Sequence, residues 1–233
     1  ALQHYYLVNY FALPWGATED NSHPGVPLQL SSVTSQDDFE NPDRATVAEV
    51  YEQILQDLET AEGLIANTTP NRATNDAVIA LQARIALIQE RWSDAAALAE
   101  QVIDLNSLSS DVAEYFESEL SEESIFEIQH TTQDVVDPAN TSLSAVYNPN
   151  ARGDITISGQ FREALEAIIT DDQQAELDAA NLLAVDTRVT ELMTADTSYT
   201  LKYEDNINEA DNVPVLRQSE MILTRAEALT QEA

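Results

Sequence analysis

Three histidines, five glycines and no cysteine leave this chain few ways to do covalent or metal chemistry. His4, His23 and His130 form no short ligand pair and no HExxH-type run, so a catalytic metal is not expected. Without cysteine there is no thiol nucleophile, disulfide or Cys-ligated cluster. Gly16, Gly25, Gly63, Gly153 and Gly159 are spaced for neither a dinucleotide loop nor a phosphate loop, and no GxSxG elbow occurs. Paired carboxylates serve glycoside hydrolysis, but 42 acidic residues in 233 make such pairs by chance, so their presence decides nothing. Glu204, Asp205, Asn206, Asn208, Glu209 and Asp211 offer oxygen ligands that calcium could use, yet they lack the spaced order of a known calcium loop. The reading is of a chain with no catalytic residue and no cofactor.

The same carboxylates set the physics of the surface. Lys and Arg total 10, giving a formal net charge of −32, and Lys202 is the single lysine. Such a chain is repelled by nucleic acid, whose affinity for proteins comes mainly from Lys and Arg contacts, and by anionic membranes. The acidity is spread over every segment. It suits concentrated salt, where a Debye length of ~3 Å at 1 M screens self-repulsion, and a halophilic protein is the expectation. No stretch approaches the ~20 continuous apolar residues of a membrane helix.

The positioning elements are helices. Thr46-Val47-Ala48-Glu49 has capping-box spacing, and Val47, Val50, Tyr51, Ile54, Leu55, Leu58, Ala61 and Ile65 form one buried stripe. A second helix is predicted from about Thr74 to Glu90 and a third, capped by Ser93, to Leu105. Ala83, Ala86, Trp92, Ala95, Ala99 and Val102 follow a tetratricopeptide pattern, in which small residues sit where helices cross and Trp92 is a packing anchor. Residues 44–107 therefore form a TPR-like helical core. Ser124–Gln129 and Tyr199–Glu204 read as short strands, with Asp154–Ser158 a weaker one. Residues 131–184 read as a long loop region, with a short helix at 161–169. Residues 214–233 read as a final TPR-like helix with Ser219, Ile222, Ala226 and Leu229 on one face and Arg217, Glu220, Arg225 and Glu227 as ion-pair candidates. The fold class is mostly α, stacked helical hairpins with long irregular loops and a few short strands.

Several of these stretches together resemble the SusD/RagB family. They are the helix from Thr46 to Ala61, Arg72-Ala73-Thr74 leading into Ala80 to Leu87, and Trp92-Ser93-Asp94-Ala95. Glu123 to Ile128, Asp186-Thr187-Arg188 and Val213 to Leu229 follow in order, the last being the most specific. Tyr5-Tyr6-Leu7-Val8, Trp15 and Gly25 to Leu28 are similar to the end of that family's first helical pair and the loop after it. The resemblance implies a SusD-like α/α superhelix over residues 1–233 as one domain. It departs from the family pattern by lacking the lipidated cysteine and N-terminal helical hairpin at one end and the partner helix and further C-terminal region at the other, so a fragment or an unusually short paralogue is the expectation.

The resemblance further implies a non-enzymatic nutrient-binding protein, chiefly for glycans or oligosaccharides, on the cell surface. It would be an outer-membrane lipoprotein beside a SusC-like TonB-dependent transporter, held to the membrane only through a lipid anchor that this chain does not carry. Neutral sugars suit the charge better than anionic ones, because a sugar ring stacks its CH face on an aromatic plane while carboxylates and amides meet its hydroxyls. Aromatics outside the helical stripes are the candidates: Trp15, Tyr147, Tyr199 and Tyr203, with Asn148 and Arg152 as polar neighbours. The competing class is a TPR-type scaffold that binds a peptide and no carbohydrate.

Overall fold

The computed structural model describes residues 1–35, 42–133, 142–161, 163, 188, 191–205, 207–208 and 210–232. They form two compact units, Ala1–Leu105 with Leu216–Ala233, and Asn106–Val215.

The first unit is built on helices α1 (Leu2–Phe11), α2 (Val47–Glu62), α3 (Asn75–Ile88) and α4 (Trp92–Val102). Thr46 ends the short strand β2 (Arg44–Thr46), which pairs antiparallel with β1 (Pro24–Pro27), and in the same residue caps α2. The Glu49 amide donates to Thr46 Oγ1 at 3.2 Å and the Thr46 amide donates back to Glu49 Oε2 at 2.8 Å, so two otherwise orphaned donors are satisfied. Gly25 is needed there because a Cβ would come within 2.9 Å of the Ala45 carbonyl oxygen. The apolar stripe of α2 buries Val47, Val50, Tyr51, Ile54 and Leu58. Each such side chain contributes roughly 1.5–3 kcal/mol, which holds in place a helix marginal on its own.

Thr74 caps α3 as the spacing predicts, its Oγ1 accepting from the Ala77 amide at 3.0 Å. Ser93 does not cap α4: the helix begins one residue earlier, at Trp92, with Arg91 as the capping residue and no side-chain cap. The tight connection accounts for this, because Glu90 takes φ +56° and turns the chain over in so few residues that no free position remains before Trp92. Ala86, Ala95, Ala96 and Ala228 form a small-residue seam, with Trp92, Leu87 and Leu98 packed against it.

Ala228 belongs to the last helix, α7 (Gln218–Glu232), which packs on α4 and α3. Two expectations for this region are corrected. Pro214 to Arg217 is not helical but lies in strand β4 (Val213–Arg217), since Pro214 has no amide to give a helix and Val213, Val215 and Leu216 favour extended backbone. The packed face of α7 carries Gln218, Met221, Thr224 and Ala228, whereas Leu223, Ala226 and Leu229 are exposed. The ion-pair candidates also reach across helices: Glu220 pairs with Arg84 of α3 and Arg225 with Glu100 of α4. Arg84 binds Glu220 through both of its carboxylate oxygens, at 2.5 and 2.6 Å, and sits 5.9 Å above the Tyr5 ring. Burial works against the guanidinium's charge there, but the Glu220 carboxylate more than offsets it and raises the Arg84 pKa. Burial also pushes the Tyr5 hydroxyl up to about 12.

The second unit contains helices α5 (Val112–Glu117) and α6 (Leu143–Tyr147) and strand β3 (Ser124–Ile128), which pairs with β4. Strand β3 falls where the alternation predicts it. Tyr199–Glu204 is not a strand and contributes only an isolated bridge between Met193 and Thr200; Asp154–Ser158 has no strand either. The Thr194 amide donates to the Tyr199 carbonyl and the Leu201 amide to the Leu192 carbonyl around that bridge, and the Ile157 amide donates to the Ser198 carbonyl. Most of the 161–169 helix and Asp186-Thr187 lie outside the described residues. No helix among the described residues is long and apolar enough to cross a membrane.

Candidate functional site

Glu127 is the fixed point of the second unit. It is 2 % exposed, and its carboxylate accepts from the Ser124 and Tyr115 hydroxyls, the Leu120 amide at 3.1 Å and the Asn212 amide nitrogen at 2.9 Å. A buried carboxylate so fully satisfied ties α5, β3 and the segment before β4 into one arrangement. Tyr115 is thereby locked, and its neighbour Phe116 is left half-buried at the edge.

From Phe116 a run of aromatic rings follows. Its ring meets Tyr203 edge-on at 6.3 Å, and Tyr203 meets Tyr147 at 5.8 Å with a 41° tilt. Lys202, the single lysine, carries its ammonium 4.8 Å from the centre of the Phe116 ring, a cation–π contact. Phe116, with Leu192 and Leu201, also forms the apolar wall of a cleft of about 370 Å³, with Glu119, Asp205 and Asp211 among its carboxylates. A narrower space of about 30 Å³, enough for a water molecule, lies between Phe116, Lys202, Tyr203, Glu127 and Asn212.

The carboxylates of the cleft do not titrate alike. Burial raises the Glu119 pKa, and the charges of Asp211, Glu127 and Asp205 add to it. Burial also raises Asp211, whose Oδ2 is enclosed and has no hydrogen-bond partner among the described residues. For Asp205 burial acts in the same direction, but the Asn208 and Ala210 amides donate to its oxygens and hold its pKa low. Among the described residues no group of three or more His, Asp or Glu is arranged to hold a metal ion; Asn206 and Glu209 lie outside them.

Of the six candidates named from sequence, five belong to this unit. Tyr147 and Tyr203 are in ring contact. Asn148 is 3 % exposed and donates from its side chain to the Tyr203 carbonyl at 3.1 Å, which fixes Tyr203 beside the end of α6. The Tyr199 ring covers Gly153, where φ is +57° and an added Cβ would meet the ring at 3.3 Å. Arg152 is exposed and pairs with Asp154. Trp15 belongs to the first unit, edge-on to Tyr51 with ring centres 5.0 Å apart. Phe116, Lys202, Glu119 and Glu127 were not singled out as site residues, though rarity set Lys202 apart; Asp211 was named only within the acidic run that offered oxygen ligands for calcium.

The first unit is thus built of packed helices, and the second of loops, short elements and clustered aromatic rings. Residues 1–87 match a SusD-like family model described as starch-binding, associating with outer membrane. A SusD superfamily protein from Bacteroides fragilis is 27 % identical, over 97 % of this chain and 49 % of its own, with a TM-score of 0.75. One from Bacteroides thetaiotaomicron is 22 % identical, over 99 % and 52 %, with a TM-score of 0.73. Surface glycan-binding protein A of Bacteroides thetaiotaomicron, solved in complex with laminarihexaose, is 24 % identical over 81 % and 51 %, with a TM-score of 0.56. No curated protein matches the sequence. The chain is SusD-like in fold, and it spans about half the length of the solved structures it matches.

Proposed function

We propose that this chain is the glycan-capturing part of a non-enzymatic, outer-membrane nutrient-binding lipoprotein that works with a SusC-like TonB-dependent transporter. The observation that carries the reading is the run of ring contacts from Tyr147 through Tyr203 to Phe116, the last of which also walls a cleft of about 370 Å³ whose polar lining is mostly carboxylate. Aromatic rings bind the CH faces of sugars, and carboxylates accept hydrogen bonds from their hydroxyls. The same carboxylates repel uronic or sulfated chains, so the ligand is a neutral glycan. Asn148 acts by holding Tyr203 in place, with Tyr199 and Arg152 at the margin. Support comes also from the laminarihexaose complex of a similarly folded protein and from the starch-binding, outer-membrane description of the matching family model.

Affinity electrophoresis in gels containing laminarin, starch or an anionic polymer tests this. Retardation by a neutral polymer, lost in Tyr203→Ala, is expected. Mobility unchanged in every neutral polymer would overturn the reading and favour a TPR-type scaffold for peptides.

A further inference from the structure

The cleft walled by Phe116, Leu192 and Leu201 has a polar lining of one sense only. Its polar side chains are Glu117, Glu119, Glu191, Glu204, Asp205 and Asp211, and the other side chains that line it are apolar. An ionised carboxylate accepts hydrogen bonds and has none to give. Backbone donors around the cleft are already taken: the Ala113 amide by Asp111 at 2.8 Å, the Leu201 amide by the Leu192 carbonyl at 2.8 Å, and the Asn208 and Ala210 amides by Asp205 at 2.9 and 3.4 Å. Lys202 holds its ammonium over the Phe116 ring and lines the narrower space instead. Glu117, Glu119, Glu191 and Glu204 are exposed and have no hydrogen-bond partner among the described residues, and Asp211 Oδ2 is enclosed without one.

We propose that this one-sided lining makes the cleft select glycans whose hydroxyls are unsubstituted and reject N-acetylated ones. The inference rests on the reading that the site captures a neutral glycan, and it adds a criterion that charge does not supply. Each free hydroxyl can turn its proton to a carboxylate, forming the stronger, charge-assisted kind of hydrogen bond. An acetamido group is equally neutral, but its carbonyl only accepts. In this cleft that carbonyl meets lone pairs and finds no donor to replace the water it has left. A polar group stranded in this way is what lets a binding site tell near-identical ligands apart. O-acetyl and O-methyl groups fail for the same reason, since each removes a donor and keeps an acceptor.

Isothermal titration in mildly alkaline buffer, where carboxylates are ionised, compares laminarihexaose, maltohexaose and cellohexaose with chitohexaose. Chitohexaose shares the backbone and linkage of cellohexaose but carries an acetamido group in place of one hydroxyl on each ring. The best-bound unsubstituted sugar is expected to exceed chitohexaose in affinity by roughly tenfold or more. Glu119→Gln/Glu204→Gln puts two amide donors on the cleft at exposed positions, where the fold is retained, as circular dichroism checks. The variant is expected to narrow the affinity ratio severalfold. Chitohexaose bound as tightly as the best of the others, or a ratio unchanged in the variant, overturns the inference and leaves glycan capture standing. Binding of none of the four sugars by the wild type overturns glycan capture and this inference with it.

Discussion

Single side chains do unequal work here, and Arg84 shows why. Its two-pronged contact with Glu220 joins α3 to α7, with the Arg84 side chain at 16 % exposure and that of Glu220 at 31 %. A pair so placed lies between the exposed case, worth about 0–1 kcal/mol, and the buried one, where losing a partner costs about 3–5 kcal/mol. Arg84→Ala is expected to destabilise by roughly 2 kcal/mol in urea unfolding. The sequence supplied Glu220 as an ion-pair candidate but looked for its partner on the same helix. Periodicity reports neighbours three and four residues away, and the partner is 136 residues off. Asp211, named only within an acidic run, was likewise invisible as a buried group, because only the fold encloses it. With its folded-state pKa raised above the unfolded value, it contributes stability below that value and loses it as pH rises through the folded pKa. Asp211→Asn should therefore gain thermal stability relative to wild type as pH rises above the ordinary carboxylate range. An equal fall with pH in both proteins would contradict the assignment.

The elements were legible where one residue had one job. Thr46 and Thr74 announce helix starts through short-range hydrogen bonds that depend on nothing distant, and Thr46→Ala is expected to cost about 1 kcal/mol. Strand β3 was legible from its β-favouring composition, although its burial departs from the apolar pattern: Glu127 is buried and Ile128 exposed. Helix α7 was not read correctly, because its sequence carries two stripes at helical spacing. Ser219, Ile222, Ala226 and Leu229 satisfy the period as well as Gln218, Met221, Thr224 and Ala228 do; the seam with Ala86, Ala95 and Ala96 selects the second. Leucine at Ala228, fully buried, should cost about 1–3 kcal/mol through overpacking. Leucine at the exposed Ala226 should change stability by less than about 0.5 kcal/mol. Equal effects at the two positions would mean that the packed face is wrongly placed. Strands β1 and β2 escaped notice because a four-residue Pro-Gly-Val-Pro run and a three-residue partner show no alternation.

At the scale of the molecule, charge and surface chemistry decide behaviour. A formal charge of −32 against a Debye length that shrinks from about 10 Å at 0.1 M to about 3 Å at 1 M predicts a melting temperature that climbs over that range of sodium chloride. A flat or falling curve would remove the reason for reading the protein as halophilic. The candidate site was half legible: aromatics outside the helical stripes pointed to Tyr147 and Tyr203, but not to Phe116, whose place depends on the buried Glu127 anchor. The central claim is that these rings hold a neutral glycan without altering it. Calorimetric titration of laminarihexaose into the wild type and Tyr147→Ala/Tyr203→Ala tests this most directly. The account expects saturable heat in the wild type, affinity lower by roughly tenfold or more in the variant, and the hexasaccharide recovered uncleaved. Equal affinity in the two proteins, or shortened sugar in the recovered solution, would contradict it.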